Sequence, residues 1–328
     1  MPSPGERQRL AGWYTTFATD EARGRSEIYE RMALGVAASP ELLDFLLTLP
    51  TGRRQPNLFL AAVRHLHGVP ENPGRLAEII RRDPERIRAL MLSRSTQTNE
   101  PARCAVLLPL LAQLPQPLAL IEVGASAGLC LLPDRYGYNY GAVKIEPAAA
   151  EAPIFRCRTS GAVPLPAAVP RIVWRRGLDL NPIDLCSDEE VAWLETLVWP
   201  GQDERARGLR AAIDVARREP PSVVKGDLLG DLEGLMATAP SNATLVVFHT
   251  AVFPYVTPRE SRDRFAVTML NSAAVWISNE APGVFASLAQ SAPPPPAHGL
   301  FLLIREGVPL AWTGPHGQSL DWFGPVTG

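Results

Sequence analysis

Two patterns of apolar residues divide the chain. Up to about residue 115 they recur at helical spacing between helix-punctuating residues, with almost no strand signal. Ser39-Pro40-Glu41 is an N-cap followed by proline at the first helical position, ahead of Leu42, Leu43, Phe45, Leu46, Leu47 and Leu49. Asn57 precedes LFLAAVRHLHG, where Gly68 closes the helix, and Thr98 or Asn99 caps EPARCAVLLPLLAQL. From Leu118 the texture changes. The short apolar runs LALIEV, RIVWRRGL, PSVVK, ATLVVF and AAVWIS alternate with helical segments at 188–196, 203–217, 228–237 and 258–270. That alternation predicts a parallel sheet with helices on both faces. GLFLLIREGVPLAWTG then reads as two strands around Arg305-Glu306-Gly307, a closing antiparallel hairpin. The expectation is an all-helical N-terminal domain over 1–115 and an α/β domain over 116–328, with an irregular insert at about 136–170.

The first strand runs into Gly124-Ala125-Ser126-Ala127-Gly128. Small residues there let a ligand approach the backbone, and the N–H groups of the following helical turn face it. A dinucleotide fingerprint fails, because Ser126 and Leu129 stand where its second and third glycines belong. A serine-hydrolase elbow, G-x-S-x-G, is matched literally. Its context is wrong, since a hydrolase sheet supplies several strands before the nucleophile. The third reading is a site for S-adenosylmethionine, which wants an acid two residues before the first glycine and further acids at the ends of the next strands. Glu122, Asp179 and Asp227 stand in those places. Three carboxylates at the carboxyl ends of successive strands suit the edge where open α/β sheets bind ligands. The expected cofactor contacts are Glu122, Gly124, Ser126, Gly128, Asp179 and Asp227.

The fourth and fifth strands end in His249 and in Ser278-Asn279-Glu280, which makes His249 and Glu280 the candidate catalytic pair. Tyr255 follows the fourth strand, and the helical region carries the polar cluster Gln97, Asn99, Glu100 and Arg103. These five are the expected acceptor-binding residues. Of the other histidines, His65, His67 and His298 read as structural, while His316, like His249, stands in the order a hydrolase built on Ser126 and Asp227 would need.

Segments spread along the chain, among them TQTNEPARCAVLLPLL, IEVGASAGLCLLPDRYGYNYG, RGLDLNPIDL, VVKGDLLGDL and VVFHTAVFPYV, resemble an uncharacterised bacterial domain-of-unknown-function family with a methyltransferase-like core. The resemblance implies a Rossmann-like sheet of the class I methyltransferase kind, five parallel strands plus the closing hairpin. It extends the expectation to an S-adenosylmethionine-dependent enzyme acting on a small molecule. A serine hydrolase built on Ser126 is the enzymatic alternative, and a non-catalytic cofactor-binding or interaction protein is the other.

Composition narrows the partners. At 328 residues, with 46% hydrophobic and 20% charged residues and a net charge of −2, the chain has the balance of a globular protein. Of the 32 basic residues only Lys144 and Lys225 are lysines, and acids offset the arginines, so no clustered surplus of positive charge suggests nucleic acid. No run of about 18 apolar residues predicts a membrane span, and the first residues lack a signal-peptide core. The four cysteines form no C-x-x-C and carry no histidine at ligand spacing, so no metal is expected. Together these give a cytoplasmic expectation.

Overall fold

The computed structural model of the protein describes residues 4–325. They divide into two compact units, one of residues 1–98 and 187–207, the other of 99–186 and 208–328.

The first unit holds the helices α1 (Pro4–Thr16), α2 (Glu27–Ala37), α3 (Pro40–Leu47), α4 (Pro56–His67), α5 (Pro73–Arg82) and α6 (Pro84–Ser93). Two of the helix ends read from the sequence, Ser39 and Gly68, hold, whereas neither Thr98 nor Asn99 caps the helix that starts at Cys104, because Glu100 takes the cap of the short turn Pro101–Arg103 ahead of it. Ser39 accepts from the Leu42 N–H at the head of α3, and Gly68 ends α4 with φ 77°. At the head of α4 the proline, Pro56, takes the first position, and no side chain caps it. One core joins Tyr14, Phe17, Tyr29, Met32, Leu46, Phe59 and Ile87, and Trp193 and Leu197 belong to it.

The second unit begins at Asn99, so α7 (Cys104–Gln113) lies in it and the expected boundary at 115 moves upstream. The cause is physical. Every residue from Cys104 to Leu111 is buried, so α7 has no solvent face and is a core element of the sheet unit. Conversely α8 (Asp188–Thr196) brings Trp193 to the helical core, and the second boundary falls within α9 (Asp203–Arg218).

The fold is mixed α/β. In chain order the strands are β1 (Leu118–Val123), β2 (Gly137–Asn139), β3 (Lys144–Ile145), β4 (Ile154–Arg156), β5 (Arg158–Ser160), β6 (Ile172–Asp179), β7 (Val223–Lys225), β8 (Thr244–Thr250), β9 (Val275–Glu280), β10 (Phe301–Arg305), β11 (Val308–Thr313) and β12 (Ser319–Trp322). Among the described residues nine of them form one sheet in the order β5-β12-β11-β10-β9-β8-β1-β6-β7. The five runs read as strands are the parallel block β7, β6, β1, β8 and β9. β1 is buried throughout, as a central parallel strand must be. The hairpin β10–β11 pairs antiparallel with β9. Its two turn residues, Glu306 and Gly307, both have positive φ, the mark of a type I′ turn.

The insert is not irregular. β2, β3 and β4 form a second small sheet, and Tyr136, Tyr138 and Tyr140 are buried with their hydroxyls donating to the carbonyls of Leu129, Pro133 and Ala105. Short strands of two or three residues leave no periodicity to read, which is why they were missed. The helices α10 (Leu232–Met236), α11 (Arg259–Leu270) and α12 (Ala286–Ala289) complete the unit. Phe265 and Met269 of α11 pack on Ile121, Val247 and Trp276 on one face of the sheet.

Candidate functional site

From β1 the chain proceeds to β6 and β7 on one side, then returns to β8 and β9 on the other. The strand order therefore reverses between β1 and β8, and the crevice outside the carboxyl ends of such strands is where open α/β sheets take ligands.

The small-residue turn after β1 lies at this point. Ser126 has φ 54°, a left-handed conformation that a glycine would hold without strain. Gly124 (φ 71°) faces Val252, whose side chain a Cβ at 124 would meet at 2.3 Å. Gly128 (φ 73°) likewise faces Pro221 and Val223. The room left by both glycines is thus taken by the chain itself, which fixes the turn against β8 and β7. Asp179, at the end of β6, accepts from the Ser126 N–H at 2.7 Å with one carboxylate oxygen and from the Asn181 N–H at 2.8 Å with the other. It buttresses the turn, and a carboxylate has lone pairs left to accept more. Asp227 behaves differently: it is exposed and caps its own turn by accepting from the Leu229 and Gly230 N–H groups.

The strand ends carry polar groups on both faces of the sheet. On the face with α11, the His249 Nδ1 lies 2.8 Å from Glu280 Oε1, and Trp276 Nε1–H donates to His249 Nε2 at 3.0 Å. The indole has only a donor, so Nε2 must be the acceptor and Nδ1 carries the proton that it gives to Glu280. His249 is fully buried among Phe253, Phe265 and Phe285. Both of its nitrogens are occupied, so within the candidate pair the ring orients Glu280. The same Oε1 also accepts from the Val252 N–H at 2.9 Å, while Oε2 is buried without a partner.

On the opposite face lie Glu122, Thr250, Asn279 and Thr313, brought to one side by the register Glu122–Phe248, Thr250–Asn279 and Leu303–Asn279. Arg103 joins them. Its Nη1 donates to the Thr250 carbonyl at 3.2 Å and to Thr250 Oγ1 at 3.3 Å, and its Nε donates to the Pro315 carbonyl at 2.8 Å. Asn99 Oδ1 accepts from the Leu129 N–H at 2.8 Å, tying the segment before α7 to the end of the small-residue turn. Glu100 accepts from the Ala102 N–H and faces His316 at 3.7 Å. Glu122 is buried to 2% exposure. That burial pushes its carboxyl well above the usual range, the neighbouring Cys130 thiol adding to the effect and Arg103 opposing it.

Asn99, Glu100, Arg103, Glu122, Ser126, Asp179, His249 and Glu280 thus belong to one unit, at or beside the carboxyl ends of β1, β6, β8 and β9. Gln97 belongs to the helical unit, and Tyr255 stands 73% exposed beyond β8. The sequence reading missed Trp276, Thr250, Asn279 and Thr313 as site residues. The signal was available in the period-2 alternation of β9, which sends Trp276 and Glu280 to one face and Asn279 to the other.

The turn also bears on the hydrolase alternative. Ser126 Oγ is buried and has no hydrogen-bond partner, so no histidine is positioned to take its proton. Among the described residues no three histidine, cysteine, aspartate or glutamate side chains gather as metal ligands. Among the described residues no helix is long and apolar enough to cross a membrane.

No curated protein and no solved structure matches the chain. A family model does, over residues 11–322, and it places the chain in the family described as an uncharacterized protein conserved in bacteria, DUF2332.

Proposed function

We propose that the protein is an S-adenosylmethionine-dependent methyltransferase acting on a small molecule, on a Rossmann-like core. The observation that carries this reading is the coincidence, at the strand-order reversal between β1 and β8, of a small-residue turn with two buried polar atoms lacking partners, Ser126 Oγ and Glu122 Oε2. Buried polar atoms without partners are costly, and they mark places where a ligand completes the hydrogen bonding. The N–H groups of Gly124, Ala125, Ser126, Gly128 and Leu129 are engaged within the fold, so the groups that fit the cofactor are Ser126 Oγ, a buttressed carboxylate at the end of β6 for hydroxyls, and polar side chains at β8 and β9.

S-adenosylmethionine would supply an activated methyl group on a sulfonium. Transfer from it is an in-line displacement, so the protein mainly positions the reactants, an effect worth about 7–11 kcal/mol in favourable cases. Asp179 and the turn would hold the ribose side. Glu280, steered by His249, would orient the acceptor and take a proton if the acceptor carries one.

The test is calorimetric titration with S-adenosylhomocysteine, with NADPH as control. Binding to the wild type, weakened at least tenfold by Asp179→Ala, is the expected result; a charge-assisted hydrogen bond is worth roughly 1.5–3 kcal/mol. Absence of binding at millimolar ligand ends the proposal. Labelling of Ser126 by a fluorophosphonate would put the hydrolase in its place.

A further inference from the structure

Arg103 is a buried cation, only 7% exposed, whose three hydrogen bonds all go to neutral oxygens, and Glu122 is an acid that its charge acts on. Its guanidinium lies over the Phe301 ring at 6.0 Å. Its closest acid in sequence, Glu100, is engaged by the Ala102 N–H and faces His316. A desolvated guanidinium bonded only to neutral oxygens favours an incoming anion.

Two more groups converge on the same face. Asn279 is fully buried; its Oδ1 accepts from the Thr313 hydroxyl at 2.6 Å, which fixes the amide so that Nδ2 is the remaining donor, and Nδ2 has no partner. Glu122 is the other, with Oε2 buried and unpartnered. Thr250 links the three: it bonds Arg103, is the register partner of Asn279, and stands two residues beyond Phe248, the register partner of Glu122.

We infer that Arg103, Asn279 and Glu122 form a subsite for the carboxylate of a bound molecule. This deepens the methyltransferase reading and rests on it for the site's location. Three buried groups able to donate, gathered on one face of the sheet, call for an acceptor-only group. Burial favours the neutral carboxylic acid at Glu122, the form in which its unpartnered Oε2 can donate. A single positive charge matches a monoanion and not a phosphate, which carries nearly two. The planar guanidinium suits a carboxylate in particular. The carboxylate has two chemical sources, the amino-acid end of the cofactor or the methyl acceptor.

Asn279→Asp decides it, because it keeps the acceptor for Thr313, removes the Nδ2 donor and sets a negative charge facing the ligand's own. Arg103→Lys, which retains the charge but not the fork, is the second variant should the first fail to fold. Binding of S-adenosylhomocysteine and of 5′-methylthioadenosine, which lacks the amino-acid end, is measured by calorimetry. Melting is measured in sodium propionate and sodium benzoate against sodium chloride at equal ionic strength.

If the cofactor supplies the carboxylate, Asn279→Asp weakens S-adenosylhomocysteine at least tenfold and leaves 5′-methylthioadenosine unchanged. If the acceptor supplies it, S-adenosylhomocysteine is unaffected, and propionate or benzoate raises the melting temperature of the wild type and not of the variant. Carboxylate stabilisation of that kind without any S-adenosylhomocysteine binding keeps the subsite and rejects the methyltransferase. No difference between wild type and variant with any of these probes overturns the subsite.

Discussion

A carboxyl group sealed in a protein core is a pH-dependent liability, and Glu122 is one. Its carboxyl is raised in the folded state, chiefly by burial. Folding is therefore unopposed below the pKa of the unfolded chain, near 4.3. As pH rises above that value the unfolded state ionises first, and the cost to stability grows until the folded carboxyl also titrates. Glu122→Gln is neutral in both states. Its melting temperature should exceed that of the wild type by a margin that widens as pH rises above 5, read by calorimetry in matched buffers. A constant margin would mean that Glu122 is ionised in the fold. His249 offers the second test at this scale. Trp276→Phe removes the donor to Nε2 and leaves that nitrogen buried and unpaired, a loss of about 1–3 kcal/mol. Nitrogen-15 spectra of the imidazole should show a single Nδ1–H tautomer in the wild type and a mixture in the variant. The sequence pointed to His249 by its place at a strand end, and the structure puts the ring there. What it could not convey is that Trp276, two strand positions from Ser278, already occupies the nitrogen a base would need. Contacts across strands depend on register, and register is not written locally.

Among the elements, the turn between β1 and the short helical segment at Leu129–Leu131 concentrates the strain. Ser126 holds φ 54° with a buried hydroxyl that bonds nothing. Ser126→Gly relieves both, and should stabilise by about 0.5–1 kcal/mol net of the flexibility it adds to the unfolded chain. Gly124→Ala works the other way: at φ 71°, with Val252 at 2.3 Å from the new Cβ, it should lower the urea midpoint by an amount equivalent to about 2 kcal/mol or more. Val252 is itself held by Glu280, so the displacement would reach β9. The five parallel strands and the hairpin were legible because each is a short apolar run with a turn signal at its end, even in β7, where only Val223 and Val224 are apolar. β2 to β5 and β12 were not, being two to four residues long.

For the molecule as a whole, the segment Asn99–Arg103 shows how far composition misleads about domain membership. It follows six helices and begins another, so a helical domain running to residue 115 was the natural division. The burial of α7 on every side overrides that, and carries Asn99, Glu100 and Arg103 into the sheet unit with the strand ends. The polar residues gathered there were recognisable as residue types. Their grouping by face, with Glu280 on one side of the sheet and Arg103, Glu122 and Asn279 on the other, required the register. The central claim is that this edge, at the reversal between β1 and β8, holds S-adenosylmethionine. Amide hydrogen exchange with and without saturating S-adenosylhomocysteine tests it most directly, because it reads location as well as binding. The account predicts added protection confined to the turn at 124–131, the segment after Asp179, and the ends of β8 and β9. Protection elsewhere, or none at a concentration where calorimetry would detect millimolar affinity, would contradict it.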